Sequence, residues 1–187
     1  MIKNLRLLLP VTALVAAMAS GCMLVSGQFI VPFEFADVGA DPLTVNSSST
    51  LSNVRVDLNT ESVYNDHKEN LKDIVDMALL GTITNLDSGS AVNVEVWMVP
   101  TTTTTYTTET AVKAAPGAVQ LWGPMTIPAG GVKKITWDQS AALFKGRQKL
   151  ITEIKGDGVF DLYAFGNGAS HFRVDKGVLM LVISAGK

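Results

Sequence analysis

A chain of 187 residues, 47% of them hydrophobic, is long enough to bury the core of one domain and short for two. Its 15 basic and 17 acidic residues are nearly balanced, which argues against nucleic acid as an electrostatic partner. The single cysteine, Cys22, excludes a disulfide within the chain and the paired cysteines of many zinc sites.

The first residues have the three parts of an export signal. Lys3 and Arg6 give a positive start, an apolar run follows from Leu7 to Ala19, and small residues come next. The run is too short to cross a membrane, because a spanning helix needs about 20 residues. The pattern therefore predicts a signal peptide at residues 1–21.

Two cleavage sites fit the small residues at the end of this segment. Ala17 and Ala19 match the small-x-small pattern of ordinary signal peptidase, which would cut after Ala19. The sequence Ala19-Ser20-Gly21-Cys22 resembles the lipobox of bacterial lipoproteins, although Ala19 stands where Leu is usual. In that family the chain is cut before the cysteine, whose thiol becomes a thioether to diacylglycerol, a lipid that carries acyl chains such as palmitate. The resemblance implies that Cys22 is the lipid attachment site.

The same resemblance implies a location and partners. A lipoprotein of this kind is anchored in the bacterial cell envelope on the extracytoplasmic side. Met23, in place of an aspartate after the cysteine, favours the outer membrane if the source has two membranes. The membrane, bound through the lipid, is the expected partner, and an envelope protein is a second candidate. Residues 22–28 would form a lipidated tether of about 20 Å, which holds a single domain at 29–187 close to the bilayer.

Alternation of apolar and polar residues with a period of two predicts strands in the first half of that domain. The first strand is expected from Phe29 to Phe35, and Pro32 places it at a sheet edge because proline cannot donate to a ladder. A second half-buried strand is expected at 53–58.

A helix and a hairpin are expected next. Asp66 can cap a helix in which Leu71, Ile74 and Val75 share one face. The turn residues of NLDSGS then separate two apolar segments, so that residues 75–99 are predicted to form a β-hairpin.

Two segments admit alternatives. The threonine-rich run at 101–110 favours an exposed edge strand or hairpin arm, with a glycosylated or partner-binding segment as the alternative. Residues 148–155 suit a helix through Leu150, Ile151 and Ile154, or a strand, which is the interpretation preferred here.

The C-terminal half is expected to complete a sheet structure. A bend at Gly123-Pro124, a short helix after Asp138 and a strand in VFDLYAFG precede the apolar run Val178–Ile183, which is typical of a central strand buried on both faces. The fold class predicted for the whole domain is all-β, an antiparallel β-sandwich of about eight to ten strands with one or two short helices.

Catalytic and metal-binding patterns are not found in the sequence. Ser170 precedes His171 in GNGASHF, but without the strand, turn and helix context of a nucleophile elbow. His67 and His171, the only two histidines, lack the spacing of metal ligands. We therefore expect no enzymatic activity, no metal and no cofactor.

Trp97 is the one aromatic residue with a candidate role in binding. It falls out of phase with the valines of its strand, on the face that carries Asn93 and Glu95. Such a ring could stack on a sugar or a partner, or it could pack against a helix or loop.

Two functional hypotheses follow from the sequence. The first is a lipid-anchored, non-enzymatic β-sandwich protein of the cell envelope with a structural or protein-interaction role. The second is an extracytoplasmic module that binds a carbohydrate or small molecule through Trp97, Glu95 and Asn93.

Overall fold

The computed structural model of the chain describes residues 27–46, 51–101 and 104–186. Within these residues, nine strands form two antiparallel sheets that share one hydrophobic core. The predicted antiparallel β-sandwich is therefore confirmed.

Sheet A contains the first and last strands of this part of the chain. Its members are β1 (Gly27–Glu34), β2 (Leu43–Asn46), β4 (Leu71–Asn85), β7 (Val132–Ile135) and β9 (His171–Ala185). The order is β1-β9-β4-β7, and β2 also pairs with β9. β1 is thus an edge strand, as Pro32 predicts, and β9 is central, as its apolar run predicts.

The apolar run of β9 is covered on one face only. Leu179, Leu181 and Ile183 are fully buried in the core, whereas the alternating residues Val178 and Val182 are partly exposed on the outer face of sheet A. The expectation of burial on both faces is therefore wrong, because only every second residue of this run is fully buried.

Sheet B supplies the opposite side of the core. It contains β3 (Asn53–Asp57), β5 (Val92–Pro100), β6 (Val119–Ile127) and β8 (Val159–Phe165), in the order β3-β8-β5-β6. Phe160 and Leu162 of β8 face inward, and Asp161 and Tyr163 face outward, as the period of two requires.

Four short α-helices lie between the strands of the described chain. They are α1 (Ser62–His67), α2 (Glu109–Lys113), α3 (Trp137–Ala141) and α4 (Arg147–Lys155). Short 3₁₀ turns occur at Phe35–Val38, Leu58–Thr60 and Lys68–Asn70.

A polar contact inside the core joins α3 to both sheets. The Ser140 hydroxyl accepts hydrogen bonds from the Leu79 amide at 2.7 Å and from Trp122 Nε1 at 3.0 Å. Ser140 and Trp122 are completely buried. Since a buried donor without an acceptor is costly, this one hydroxyl stabilises both an edge of β4 and the largest side chain of the core.

The helix predicted across Leu71, Ile74 and Val75 is wrong. α1 ends at His67, and β4 begins at Leu71. The register of β4 on β9 shifts between Leu71 and Asp73 and again between Ile74 and Asp76, so buried residues recur every third position. These irregularities give a strand the spacing of a helix face.

The predicted hairpin at 75–99 is also wrong. β4 pairs with β7 and β9 in sheet A, whereas β5 pairs with β6 and β8 in sheet B. The turn residues of NLDSGS therefore connect the two sheets rather than two paired strands. The turn was correctly located, but its residues do not specify which sheet the next strand joins.

Two further expectations are overturned. Thr101 and the described residues from Thr104 to Thr108 are in no strand, and the Thr108 hydroxyl caps α2 by accepting from the Ala111 amide at 3.2 Å. Residues 148–155, for which a strand is the preferred interpretation of the sequence, lie in α4, and that interpretation is wrong. The residues Leu150, Ile151 and Ile154 are buried along one face of this helix.

Candidate functional site

Trp97 and Glu95 lie next to each other on the outer face of sheet B. Residues two apart in a strand share a face, and Trp97 Nε1 donates a hydrogen bond to Glu95 Oε2 at 3.0 Å. In the register of β5 and β8, Trp97 is opposite Tyr163 and Glu95 is opposite Phe165. The structure thus brings two of the three predicted contact residues together.

Lys113 of α2 lies over these residues. Its Nζ is 5.3 Å from the ring centroids of both Trp97 and Phe165. The same atom is 2.6 Å from Glu109 Oε1 and 3.6 Å from Glu95 Oε2. The hydrogen bond to Glu109, together with the charge of Glu95, raises the pKa of Lys113 although partial burial opposes the shift. A cation is therefore held over two aromatic rings.

A second hydrophobic cluster surrounds Trp97 on this face, and we name it the outer cluster. Its buried members are Leu51, Val99, Val112, Ala115, Tyr163 and Phe165, with Trp97, Tyr106 and Ala118 partly buried against them. α2 and the segment that precedes it supply one side of the cluster, and sheet B supplies the other.

Aromatic contacts hold the outer cluster together. The rings of Trp97 and Phe165 stack with centroids 6.3 Å apart, and Tyr106 meets Tyr163 edge-on at 6.1 Å. The Tyr106 amide also donates to the Tyr163 hydroxyl at 3.3 Å. Burial raises the pKa of Tyr163. This geometry gives Trp97 the packing role that the sequence left open, beneath a helix and against another ring.

Asn93 has different partners. Its side-chain oxygen accepts from the Thr126 hydroxyl of β6 at 2.6 Å, and its backbone N–H donates to Asn167 Oδ1 at 2.7 Å. The contacts of Asn93 therefore fix the edge of sheet B and the loop after β8, whereas Trp97 and Glu95 contact Lys113.

An ion pair with a buried carboxylate and an exposed guanidinium lies on the same outer face, and the sequence analysis missed it. Arg55 Nε and Nη2 donate to the two carboxylate oxygens of Asp161, each at 3.0 Å. The Asp161 side chain is 4% exposed and that of Arg55 is 54% exposed. The available signal was the single charge of Asp161 in an otherwise apolar strand, since a buried carboxylate needs a partner.

Other functional candidates have ordinary surroundings or lie elsewhere. Cys22 is outside the described residues. The His67 ring stacks on Phe29 with centroids 4.5 Å apart. In the part of the chain that the structure describes, no three His, Cys, Asp or Glu residues are grouped to hold a metal ion. None of the helices described is both long and apolar enough to cross a membrane.

Two open polar clefts occupy opposite ends of the sandwich. One, which we name the end cleft, has a volume of about 400 Å³ and is lined by Asn46, Leu86, Asp87, Ser88, Ala169, Ser170 and His171. The other has about 330 Å³ and is lined by Asn59, Tyr64, Lys68, Glu69, Lys155, Gly156 and Asp157. The end cleft places Ser170 and His171, which the sequence singled out, beside Asp87, which it did not.

Comparisons with known proteins do not assign this chain to a family. No protein-family model and no curated protein matches it. A solved structure of Desmodium yellow mottle tymovirus is similar over 87% of this chain and 91% of that chain, with 11% sequence identity and a TM-score of 0.30. A similarity this low bears on neither the fold nor the function. The chain is an antiparallel β-sandwich protein by its own topology.

Proposed function

We propose that the protein is anchored through lipid on Cys22 in a bacterial cell envelope, where its β-sandwich has a non-enzymatic structural or protein-interaction role. The observation that carries this proposal is the short separation between the lipobox-like sequence and the folded domain. β1 begins at Gly27, and the chain from Cys22 to Gly27 can extend over about 17 Å at most. A lipid on Cys22 would therefore hold the domain against the bilayer.

The topology supports a defined orientation relative to such an anchor. Ala185 pairs with both Gly27 and Leu71, so these residues lie at one end of sheet A. His171, at the other end of β9, is separated from Ala185 by a 15-residue strand, which spans roughly 45 Å. The anchor would keep the Gly27 end near the membrane and present the end cleft to the envelope space.

Lipid, rather than charge, would supply the membrane affinity. The full chain has a formal charge of −2, and loss of Lys3 and Arg6 with the signal would make it more acidic. One acyl chain gives only marginal binding at about 0.8 kcal/mol per buried CH₂, whereas two or more chains give a stable anchor. An outer-membrane location remains the expectation for a source with two membranes.

The contacts of Trp97 and Glu95 support a structural or protein-interaction role for the outer face of sheet B more than the alternative of a ligand-binding site there. Trp97 and Glu95 bond to each other, and Lys113 lies over the Trp97 ring. Arg55 and Asp161 form a pair with each other on the same face. These side chains are committed to packing within the chain.

Metabolic labelling with a palmitate analogue in a bacterial host tests the anchor. The unaltered protein is expected to carry the label and to fractionate with membranes, and Cys22→Ser is expected to lose both properties. Ser20→Ala serves as the matched control, because a small residue is retained at that position and labelling should persist. An unlabelled protein whose N-terminus is Ser20, with a bare thiol at Cys22 by mass spectrometry, would contradict the proposal.

A further inference from the structure

The end cleft is built by two loops that are bonded to each other. The β4–β5 connection supplies Leu86, Asp87 and Ser88, and the β8–β9 connection supplies Ala169 and Ser170. The Leu86 amide donates to the carbonyl of His171 at 2.9 Å, which joins the two walls through their main chains. Loops at one end of a β-sandwich are a common place for binding sites, because the rigid sheets fix their positions.

A buried asparagine holds the β4–β5 connection in place. Asn85 is 2% exposed, and its Nδ2 donates to the carbonyls of Ser90 at 2.8 Å and Pro128 at 3.0 Å. Its Oδ1 accepts from the Asp87 amide at 3.0 Å. Asp87 is thus attached to a fixed point of the sandwich, and the cleft wall is preformed.

The carboxylate of Asp87 is oriented by its own neighbours. Oδ2 accepts from the Ser90 hydroxyl at 2.7 Å, and Oδ1 accepts from the Gly89 amide at 2.8 Å. These two hydrogen bonds, with a smaller contribution from His171, lower the pKa of Asp87. A carboxylate has about four acceptor positions, so both oxygens can still accept from a ligand.

The lining chemistry discriminates between classes of ligand. The described lining contains one carboxylate and no lysine or arginine, which disfavours a phosphate or another anion. A divalent cation is also disfavoured, because the described cleft lining contains a single carboxylate. Among the described residues, no group of three or more His, Cys, Asp or Glu could hold a metal ion. The volume of about 400 Å³ lies within the usual range of small-molecule sites, but the lining is unusually polar.

Hydroxyl groups match this lining best. Asp87 can only accept hydrogen bonds, whereas the Ser88 hydroxyl and the His171 ring offer donors as well as acceptors. An ammonium ligand only donates, and an anion only accepts, but a hydroxyl does both. We propose that the end cleft binds a neutral, hydroxyl-rich ligand of the carbohydrate class, with Asp87 and His171 as its main polar contacts.

The experiment is a titration of the purified full-length protein with named sugars. Binding is monitored by protein-observed NMR. The probes are glucose, galactose, mannose, N-acetylglucosamine and the β-1,4-linked dimers of glucose and N-acetylglucosamine. Inorganic phosphate, Ca²⁺ and putrescine represent the anionic, metal and cationic alternatives. Cys22→Ser is titrated in parallel and should bind equally, so that the result is independent of the lipid anchor.

At least one neutral sugar is expected to shift resonances of the end cleft. Asp87→Asn and His171→Ala should each weaken that binding by about tenfold or more, since each removes a hydrogen bond to the ligand. Asp157→Asn is the matched control: Asp157 accepts from the Val159 amide at 3.0 Å in a similar turn at the opposite end, and its loss should leave the affinity unchanged.

Three results would overturn the inference. The first is that none of the sugars binds while the folded spectrum is retained. The second is that a sugar binds with the same affinity to His171→Ala and Asp87→Asn as to the unaltered chain. The third is that phosphate, Ca²⁺ or putrescine shifts the end cleft when the neutral sugars do not.

Discussion

The core between the sheets and the outer cluster are both hydrophobic, but they are stabilised differently. The core draws on both sheets and contains fully buried side chains such as Phe33, Phe160 and Phe172. The outer cluster has six buried residues, and charged groups complete it: Lys113 lies over two rings, and Arg55 neutralises Asp161 on the same sheet face. Burial is the main source of stability in the first region, whereas the second depends to a larger extent on directional contacts of charged groups.

This difference implies unequal stability within one domain. Each large side chain buried in the core contributes about 1.5–3 kcal/mol, and the sheets make these contributions cooperative. α2 has only five residues, of which Val112 alone is buried, so the outer cluster should open locally at a lower free energy than global unfolding requires.

Truncation of one buried residue in each region tests the comparison directly. Phe160→Ala should lower the free energy of unfolding by about 3–5 kcal/mol, because it leaves a large cavity between the sheets. Val112→Ala in the outer cluster should cost about 1–2 kcal/mol, since it removes only two methyl groups. Urea denaturation measures both, and equal losses would refute the distinction.

The polar contact inside the core should have the next largest effect. Ser140→Ala leaves the Leu79 amide and Trp122 Nε1 without an acceptor, at a cost of about 2–4 kcal/mol. Trp122→Phe removes one of the two donors. In a double-mutant cycle it should therefore cost less in the Ser140→Ala background than alone, and strict additivity would count against a shared hydrogen bond.

Two of the arginine–aspartate pairs in the described part of the chain form a matched test of buried charge. Arg55→Met leaves the Asp161 carboxylate, which is 4% exposed, without its arginine partner. The free energy of unfolding should therefore fall by about 1–3 kcal/mol. Arg173→Met affects Asp175, which is 33% exposed, and should change stability by less than about 0.5 kcal/mol. Thermal denaturation of both variants measures the two losses of stability. A larger loss for Arg173→Met than for Arg55→Met would contradict the greater importance of the buried carboxylate.

Lys113→Met should affect the outer cluster more than the whole domain. The lysine is partly exposed, so its global contribution is expected to be below about 1 kcal/mol. Local opening should nevertheless increase, as amide hydrogen exchange of α2 would show. Lys145→Met, which breaks only an exposed contact to Gln120, is the control. Unchanged amide hydrogen exchange in α2 would show that Lys113 does not stabilise the packing of this helix against sheet B.

The smallest expected effect is a loosening of the outer cluster at alkaline pH. The pKa of Tyr163 is raised above 10.0 by burial, and that of Lys113 is raised above 10.5 by Glu109. Groups with raised folded-state pKa values contribute stability below the unfolded pKa and lose it as pH rises through the folded pKa. The decline should begin above about pH 10.

Tryptophan fluorescence follows this titration, with Trp97→Phe identifying the signal from the outer cluster. Tyr163→Phe should delay the change. Tyr64→Phe, which removes a tyrosine of the core whose pKa is also raised by burial, should leave the Trp97 signal in place. A Trp97 signal that stays constant to the point of global unfolding would contradict separate opening.

The sequence specified individual strands better than their partners. The period of two in β1 and β3 is local information, and their buried faces follow it. The register shifts of β4 space its buried residues as in a helix, so the sequence pattern predicted a helix there. No local signal showed that β4 and β5 belong to different sheets. Residues 148–155 fitted both periodicities, and only packing against the sandwich selects the helix.

The candidate site shows the same limit. The neighbouring positions of Trp97 and Glu95 could be inferred because residues two apart share a strand face. Lys113 could not be placed over them, because α2 is brought back by a connection whose threonines favour extended structure. Asp87 lines the same cleft as residues of the GNGASHF segment because the topology brings the two loops together, which sequence patterns do not reveal.

The position of β9 also constrains the order of events during synthesis. β1, β2 and β4 all pair with it, yet it begins only at His171. A nascent chain that has reached β8 can complete sheet B, but its sheet A strands still lack the partner that connects them. Closure of the sandwich must therefore wait until β9 is available, and folding should be slower than in a protein whose neighbouring strands pair in sequence.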